Sequence, residues 1–517
     1  MSHFIDPVRD FIRHPRLREV LTWCAPALLV AIALRIALTW SLPYAYFHDD
    51  TPDFISTADK LMYEHKWELH EKKTFLVPIL FSAPFALPIP ALKSIPFFQH
   101  LLGLGLIILI GALCRLWFAW WKIFIIPLTL LAAINPFYLW YERTLMAETT
   151  FVFCTALVAV AGTLYARAST FPRLAFLCFT LVLEAGARPE GKLLFGFALF
   201  LVVLVHWGDL GRAWHRPAIV AAIALLTHLA TKTDQAGLLL YTSVARLTPA
   251  QLKSAPGFEP YIAPIQADLQ RRWDERPQFP RVRDRKAIHD AIEQYLKDEA
   301  MKRGEKKNRV GVERTCFKLA RETCLRNLWS LPGLALVKFK LAANESPAGR
   351  FDNNVLFGKQ REAFTDNVLR NVRLSRGLTG QFLPDEAALH EFVNRNYGEV
   401  PWFNDWSAKW MLAVNESRLP DTAYPNPDVP KFPIVQPGVP LYFLGATAGV
   451  LLAMLVPGPI RRFHIAWGLA LFGYFFVIML TANVRPRFRF VFEPFWFLYI
   501  AMLGDFALRG LTRIVKR

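Results

Sequence analysis

Apolar stretches alternate with charged ones along nearly the whole chain, at about 21–43, 95–115, 122–140, 147–167, 173–189, 190–207, 217–232, 438–456, 463–482 and 490–508. A helix of roughly 20 apolar residues crosses the ~30 Å hydrocarbon core of a bilayer, so this alternation predicts about 10 transmembrane helices. The first stretch follows Arg9, Arg13, Arg16 and Arg18. It is too long for a signal-peptide core and lacks a small-residue cleavage site, so it reads as a retained anchor. The segment Thr74–Pro90 is apolar but carries Pro78, Pro84, Pro88 and Pro90, and reads as re-entrant or interfacial. Between 233 and 435 the chain is too polar for a membrane. Apolar periodicity at about 286–300 and 312–328 makes this insert mostly helical. The predicted fold is mainly α, a polytopic helical membrane protein with a helical extracytoplasmic insert. Three segments follow: an N-terminal transmembrane module at 1–232 with its first outer loop at 44–73, the insert at 233–435, and a C-terminal transmembrane module at 436–517.

Composition agrees with a membrane protein: 54% of the 517 residues are hydrophobic, including 42 Phe and 16 Trp. The net charge of +18 then points to cytoplasmic loops and anionic head groups, because no nucleic-acid module accompanies it. An alternating path that starts inside places Arg115/Lys122, Arg167/Arg173, Arg212/Arg216, Arg461/Arg462 and the basic tail at 509–517 on the cytoplasmic side. Both termini are then cytoplasmic, as expected of a bacterial plasma (inner) membrane protein. The same path gathers His48–Asp53, Asn135–Glu148, Arg188–Glu190, the insert and Arg485–Arg489 on the opposite side.

The six cysteines form no disulfide framework. Cys24, Cys114, Cys154 and Cys178 lie in apolar spans as small hydrophobes, and Cys316 and Cys324 are about 12 Å apart if helical, too far to bridge. Gly304–Lys307 reads as a solvated turn and Leu334–Leu341 as a surface-lying stretch. Asn344 and Asn415 fit the glycosylation triplet, a pattern that chance also produces.

The candidate chemistry lies on the outer face. Asp49, Asp50 and Asp53 crowd one short stretch just after the first span. A helix cap at Asp50 or Thr51 is the plain explanation, and a catalytic carboxylate at the membrane surface is the sharper one. Lys72 closes the same loop and, with Arg188, Arg485 and Arg487, is a candidate for a donor phosphate. For the arginines the simpler alternatives are head-group anchoring and, at Arg188, pairing with Glu190. His48, Arg143, Glu148 and Glu190 are candidates for contact with a sugar or acceptor. Arg35, Glu184 and His228 fall within spans, where ionisable residues are functional candidates or internal pairs. No metal-ligand spacing is present; whether a divalent cation (Mg or Mn) assists Asp49 and Asp50 stays open, and no other cofactor is expected.

Asp50-x3-Phe54-x3-Ala58-x2-Leu61, Asn135-Pro136 with Leu145-Met146-Ala147-Glu148, Arg188-Pro189-Glu190-Gly191 and Arg485-Pro486-Arg487-Phe488 together resemble the GT-C glycosyltransferases. That superfamily uses polyprenyl-phosphate-linked sugars and includes protein O-mannosyltransferases and lipid A aminoarabinose transferases. The resemblance covers about 1–230 and 436–510 and leaves the insert unmatched. It implies that the loop carboxylate is catalytic, carried here by Asp50 with Asp49 as the rival. It also implies a polyprenyl-phosphate-linked sugar donor and a glycan, lipid or protein acceptor, beside membrane lipids. The chemistry is coherent by itself, since polyprenyl phosphate is a good leaving group, one carboxylate suffices as general base, and arginines can stabilise the departing phosphate. A transporter or flippase of a lipid-linked or anionic solute is the alternative, although no two-fold repeat is visible. A third reading is a non-catalytic assembly factor whose insert binds a partner.

Overall fold

The computed structural model describes residues 15–47, 51–68, 74–230, 257–265, 267, 290–295, 297–298, 309–329, 331–332, 369, 371–415, 441–455, 458, 460–481 and 492–515. Among these the chain is mainly α-helical and forms no strand. One isolated parallel bridge joins Tyr46 to Thr144.

The first half runs through α1 (Pro15–Ser41), α2 (Thr51–Glu64), α3 (Leu76–Phe85), α4 (Ala91–Trp117), α5 (Trp121–Ala133), α6 (Pro136–Arg143), α7 (Glu148–Arg167) and α8 (Phe171–Ala187). A 3-10 turn, Pro189–Lys192, leads to α9 (Leu193–Val205), the short α10 (Leu210–Ala213) and α11 (His215–Ala230). In the insert region lie α12 (Arg309–Arg326), α13 (Val372–Thr379), α14 (Glu386–Asn396) and α15 (Pro401–Asn415). The chain ends with α16 (Leu441–Leu455), α17 (Arg461–Thr481) and α18 (Glu493–Val515).

Among the described residues, four helices are long and apolar enough to cross a membrane: Leu17–Ser41, Ala91–Trp117, Glu148–Arg167 and Glu493–Ile514. The bent pair α5–α6 makes up to five. Asn135-Pro136 causes that bend of 45°. Pro136 cannot continue α5, and it suits the first position of a new helix. Asn135 caps α6 by accepting the Phe137 N–H at 2.9 Å. The stretch after Asn135, read from sequence as outer loop, is therefore a buried helix up to Arg143. Other apolar stretches form shorter helices, among them α3, α8, α9, α11 and α16. The readings at Gly304–Lys307 and Leu334–Leu341 and at Asn344 fall outside the described residues.

Polar contacts gather the helix termini into two ends. At one, Arg115 of α4 meets Glu19 of α1 at 2.6 Å, and Lys122 of α5 approaches the same carboxylate at 3.5 Å. Asp505 of α18 accepts the Trp120 N–H at 2.8 Å, just before α5. Arg167 reaches the Leu116 carbonyl, Arg173 the Leu164 carbonyl at 2.8 Å, Arg216 the Ser169 carbonyl and Arg462 the Val205 carbonyl at 2.7 Å. Cations at helix C-termini satisfy orphan carbonyls and complement the helix dipole. Arg115, Lys122, Arg167, Arg173, Arg216 and Arg462, which the charge pattern placed on one side, thus lie at one end of the bundle.

The interior between the ends is aromatic. Trp117, Phe463, His464 and Tyr499 pack around one another, with ring centroids 5.0–5.8 Å apart, joining α4, α17 and α18. One charged group is set into the helical interior: Arg35 of α1 pairs with Glu142 of α6 at 2.5 Å, and His100 Nδ1 of α4 lies 2.6 Å from the other oxygen of that carboxylate. Gly103 makes this possible, because a Cβ there would overlap both the Glu142 carboxylate and the Arg35 guanidinium.

Candidate functional site

At the end opposite the basic contacts, the chain leaving α1 is strapped across the bundle. Backbone groups of Leu42, Ala45 and Tyr46 in this strap find partners. The Leu42 carbonyl accepts from the Arg143 guanidinium. The Ala45 N–H donates to Leu92 O at 2.7 Å, and the Ala45 carbonyl accepts from Tyr397 Oη at 2.7 Å. The Tyr46 N–H donates to Arg143 O at 2.8 Å, and its carbonyl accepts the Leu145 N–H at 3.0 Å. Burying backbone without such partners is costly, so this loop has one shape. Phe47 is buried at its far end. The chain becomes described again at Thr51, which is also buried and donates its hydroxyl to Leu145 O at 3.0 Å. Both flanks of 48–50 are thus anchored beside Arg143–Leu145. His48, Asp49 and Asp50 themselves lie outside the described residues, as do Lys72, Arg485 and Arg487. Asp53 falls in the first turn of α2, where a carboxylate complements the helix dipole.

Three residues beyond Leu145, Glu148 opens α7 and meets the turn after α8. Arg188 Nη1 donates to Glu148 Oε1 at 2.9 Å. Its Nε and Nη2 form a fork on the two oxygens of Glu190, each at 3.2 Å. The guanidinium also lies over the Phe151 ring, 5.5 Å from its centroid. The local sequence explains the turn: Pro189 ends α8, and Gly191 rests so closely on the Glu184 carbonyl that no Cβ fits. Glu184, fully buried on α8, accepts from Thr155 Oγ1 at 2.6 Å. Tyr474 of α17 interacts electrostatically with Arg188 and Glu190. Asn135 Nδ2 donates to Glu493 Oε2 at 3.2 Å, bringing the start of α18 to the same end.

Four sequence candidates are therefore placed. Glu148, Arg188 and Glu190 form one centre. Arg143, 1% exposed, supports the strap from beneath through Leu42 and Thr39. Of the residues within spans, Arg35 and Glu184 have internal partners and His228 is exposed. The residues that sequence reading missed are Tyr397, Tyr474, His100 and Glu142. No local signal marks them, because each acts through a partner far away in the chain.

A second support lies just behind the loop. Arg373 Nη2 of α13 contacts Asp59 Oδ2 at 2.5 Å and Glu64 Oε1 at 2.9 Å, both on α2, and its guanidinium covers the Tyr63 ring at 5.4 Å. Hydrogen bonds from Arg373 and then Lys66 hold the Glu64 carboxyl below the ordinary carboxylate range. Among the described residues, no group of three or more His, Cys, Asp or Glu is arranged to hold a metal ion. No protein-family model matches the chain, and no curated protein matches it in sequence.

Proposed function

We propose that the chain is a membrane glycosyltransferase that moves a sugar from a polyprenyl-phosphate carrier to an extracytoplasmic acceptor. In this reading about ten helices span a bacterial inner membrane, both termini are cytoplasmic, and the insert at 233–435 lies outside between the modules at 1–232 and 436–517. The observation that carries it is the anchoring of both flanks of 48–50 beside Leu145, three residues from the Glu148–Arg188–Glu190 centre. A loop anchored on both sides can present a carboxylate for a task that solvation alone does not demand.

Asp50 takes the proton of the acceptor hydroxyl while that oxygen attacks the anomeric carbon. The bond from that carbon to the phosphate oxygen breaks, and its electron pair leaves with the polyprenyl phosphate. Configuration inverts. Asp49 orients the acceptor, and Arg485, Arg487 and Lys72 stabilise the phosphate charge. Arg188 joins them by exchanging the oxygens of the part-exposed Glu190 for those of phosphate, since the same fork fits either anion. Glu148, His48 and the released Glu190 then face the sugar and acceptor.

Purified protein supplied with synthetic polyprenyl-phosphate sugars tests this reading. Transfer is expected. Asp50→Asn keeps its size and capping ability, so it should insert normally yet lose about 10²–10⁴-fold in turnover, the usual worth of a positioned base. Transfer by Asp49→Asn, Asp50→Asn and their double variant alike would end the catalytic reading. The buried Arg35–Glu142–His100 group favours a second reading, transport of a lipid-linked or anionic solute, because ionisable residues inside spans often line such paths. Lipid movement across liposomes without transfer would select it.

A further inference from the structure

Helix α15 carries two faces of different chemistry. Phe403, Ser407 and Trp410, spaced i, i+4 and i+7, are buried against the bundle. Trp402, Asp405 and Lys409, spaced i, i+3 and i+7, are exposed on the other side, and Trp406 between them is half-buried at the edge of the core. Trp402 and Trp406 stack along this outer face, with centroids 6.3 Å apart and an interplanar angle of 21°. Asp405 and Lys409 pair at 2.7 Å and cancel each other's charge. Water is a poor cover for two stacked indoles. The chain shows what level the face occupies. Trp402 Nε1 donates to Ser41 Oγ at 3.3 Å, and Ser41 is the last residue of the membrane-crossing candidate α1. The neighbouring Trp40 is 89% exposed, so a third indole marks the same level.

We propose that the Trp402–Trp406 face of α15 docks into the lipid–water boundary at the end of α1, with its indoles among the head groups. Indoles favour that zone because one edge is apolar and the ring N–H is polar. The neutral Asp405–Lys409 pair makes the attachment independent of lipid charge, so zwitterionic lipid suffices and salt has little effect. The helix is tied to the loop after α1: four residues before Pro401, Tyr397 holds the Ala45 carbonyl. Docking of α15 thereby sets the height of that loop above the bilayer. The inference rests on the membrane placement of α1 and not on glycosyl transfer.

The test uses the full chain in phosphatidylcholine nanodiscs, with Cys316→Ser, Cys324→Ser and a fluorophore on Asp405→Cys, combined with Lys409→Gln so that the face stays neutral. Nitroxide lipids labelled near the head group should quench the probe at least about twofold more than lipids labelled near the acyl terminus, as an interfacial depth of ~5–10 Å requires. Replacing part of the lipid with phosphatidylglycerol should leave the quenching unchanged. Indifference to both nitroxides overturns the inference; aqueous iodide then separates a water-facing helix, which it quenches, from one covered by protein. Stronger quenching from the deep position overturns it as well. Lys409→Cys with Asp405→Asn, one turn on and again neutral, repeats the measurement if the first variant does not fold. Neither readout needs a sugar donor, so failure here and failure of the transfer assay are independent.

Discussion

The two ends of the bundle use arginine in opposite ways. At the basic end Arg167, Arg173, Arg216 and Arg462 each reach a backbone carbonyl, and Arg115 shares Glu19 with Lys122 at a partly exposed site. At the opposite end Arg143 and Arg188 are buried, and Arg35 lies buried within the helical interior beneath it. There the guanidinium groups hold carboxylates or the carbonyls of a loop. Exposed contacts finish helices that would form without them. Buried contacts have replaced water, so each is costly to leave half-made. The first set closes helix ends at a partly exposed surface; the second fixes buried groups in place.

Four measurements sharpen or break that comparison. The largest effect should come from Arg35→Ala, which leaves the Glu142 carboxylate buried beside His100 alone. Breaking a buried pair typically costs about 3–5 kcal/mol, visible as a large drop in thermal stability in detergent. Adding Glu142→Ala should recover part of the loss, because the two residues are in contact. Full additivity would show that they do not depend on each other.

Tyr397→Phe comes next. It deletes the Tyr397 hydroxyl contact to the Ala45 carbonyl, at 2.7 Å, for about 1 kcal/mol. Hydrogen exchange should speed up at the Ala45 and Tyr46 amides and leave the helices of the basic end unchanged. Unchanged exchange at the strap would mean that Arg143 and Leu145 hold it by themselves.

Arg115→Gln should cost less, about 0.2–1 kcal/mol, since its partner Glu19 is partly exposed and the pair is screened by salt. A loss as large as that of Arg35→Ala would erase the contrast between the ends.

The smallest effect concerns Arg373 and Glu64, which sit near the loop but at the surface. Folding lowers the Glu64 pKa, so the pair contributes above the unfolded value near ~4.3 and fades as pH falls through the lower folded one. Exchange at the α13 amides should therefore rise modestly only on acidification below about pH 4. Glu64→Gln should remove this acid sensitivity. Persistence of the full effect in that variant would assign it to another group.

The sequence was legible where the cause of structure is local. The Asn135-Pro136 break follows from one missing N–H and one capping amide. The signal for α6 was present in that dipeptide, although the stretch reads as loop when only apolar length is counted. Arg188-Pro189-Glu190-Gly191 announced a tight turn with its charges close together. The clustering of Arg115, Lys122, Arg167, Arg173, Arg216 and Arg462 at one end was legible because each flanks an apolar stretch. Pairings across the chain were not legible. Nothing near Arg35 indicates that its partner stands 107 residues away, or near Ala45 that its carbonyl awaits a tyrosine 352 residues later. Span number was also hard to read, since α8 and α9 are 17 and 13 residues long and apolarity alone does not separate a short crossing from a buried helix.

The strap after α1 also has a place in time. Its parts emerge from the ribosome far apart: Leu145 follows Thr51 by 94 residues, and Tyr397 follows Ala45 by 352. During synthesis the loop is at first only a tether between α1 and the segments behind it. One of its hydrogen bonds waits for α4, others for the end of α6, and the last for Tyr397. Contacts this distant close late and slowly, because the entropy of the intervening chain is lost before they form. A nascent protein therefore makes its early helices while the loop after α1 is still unshaped, and that loop reaches its final form only once Tyr397 has been made.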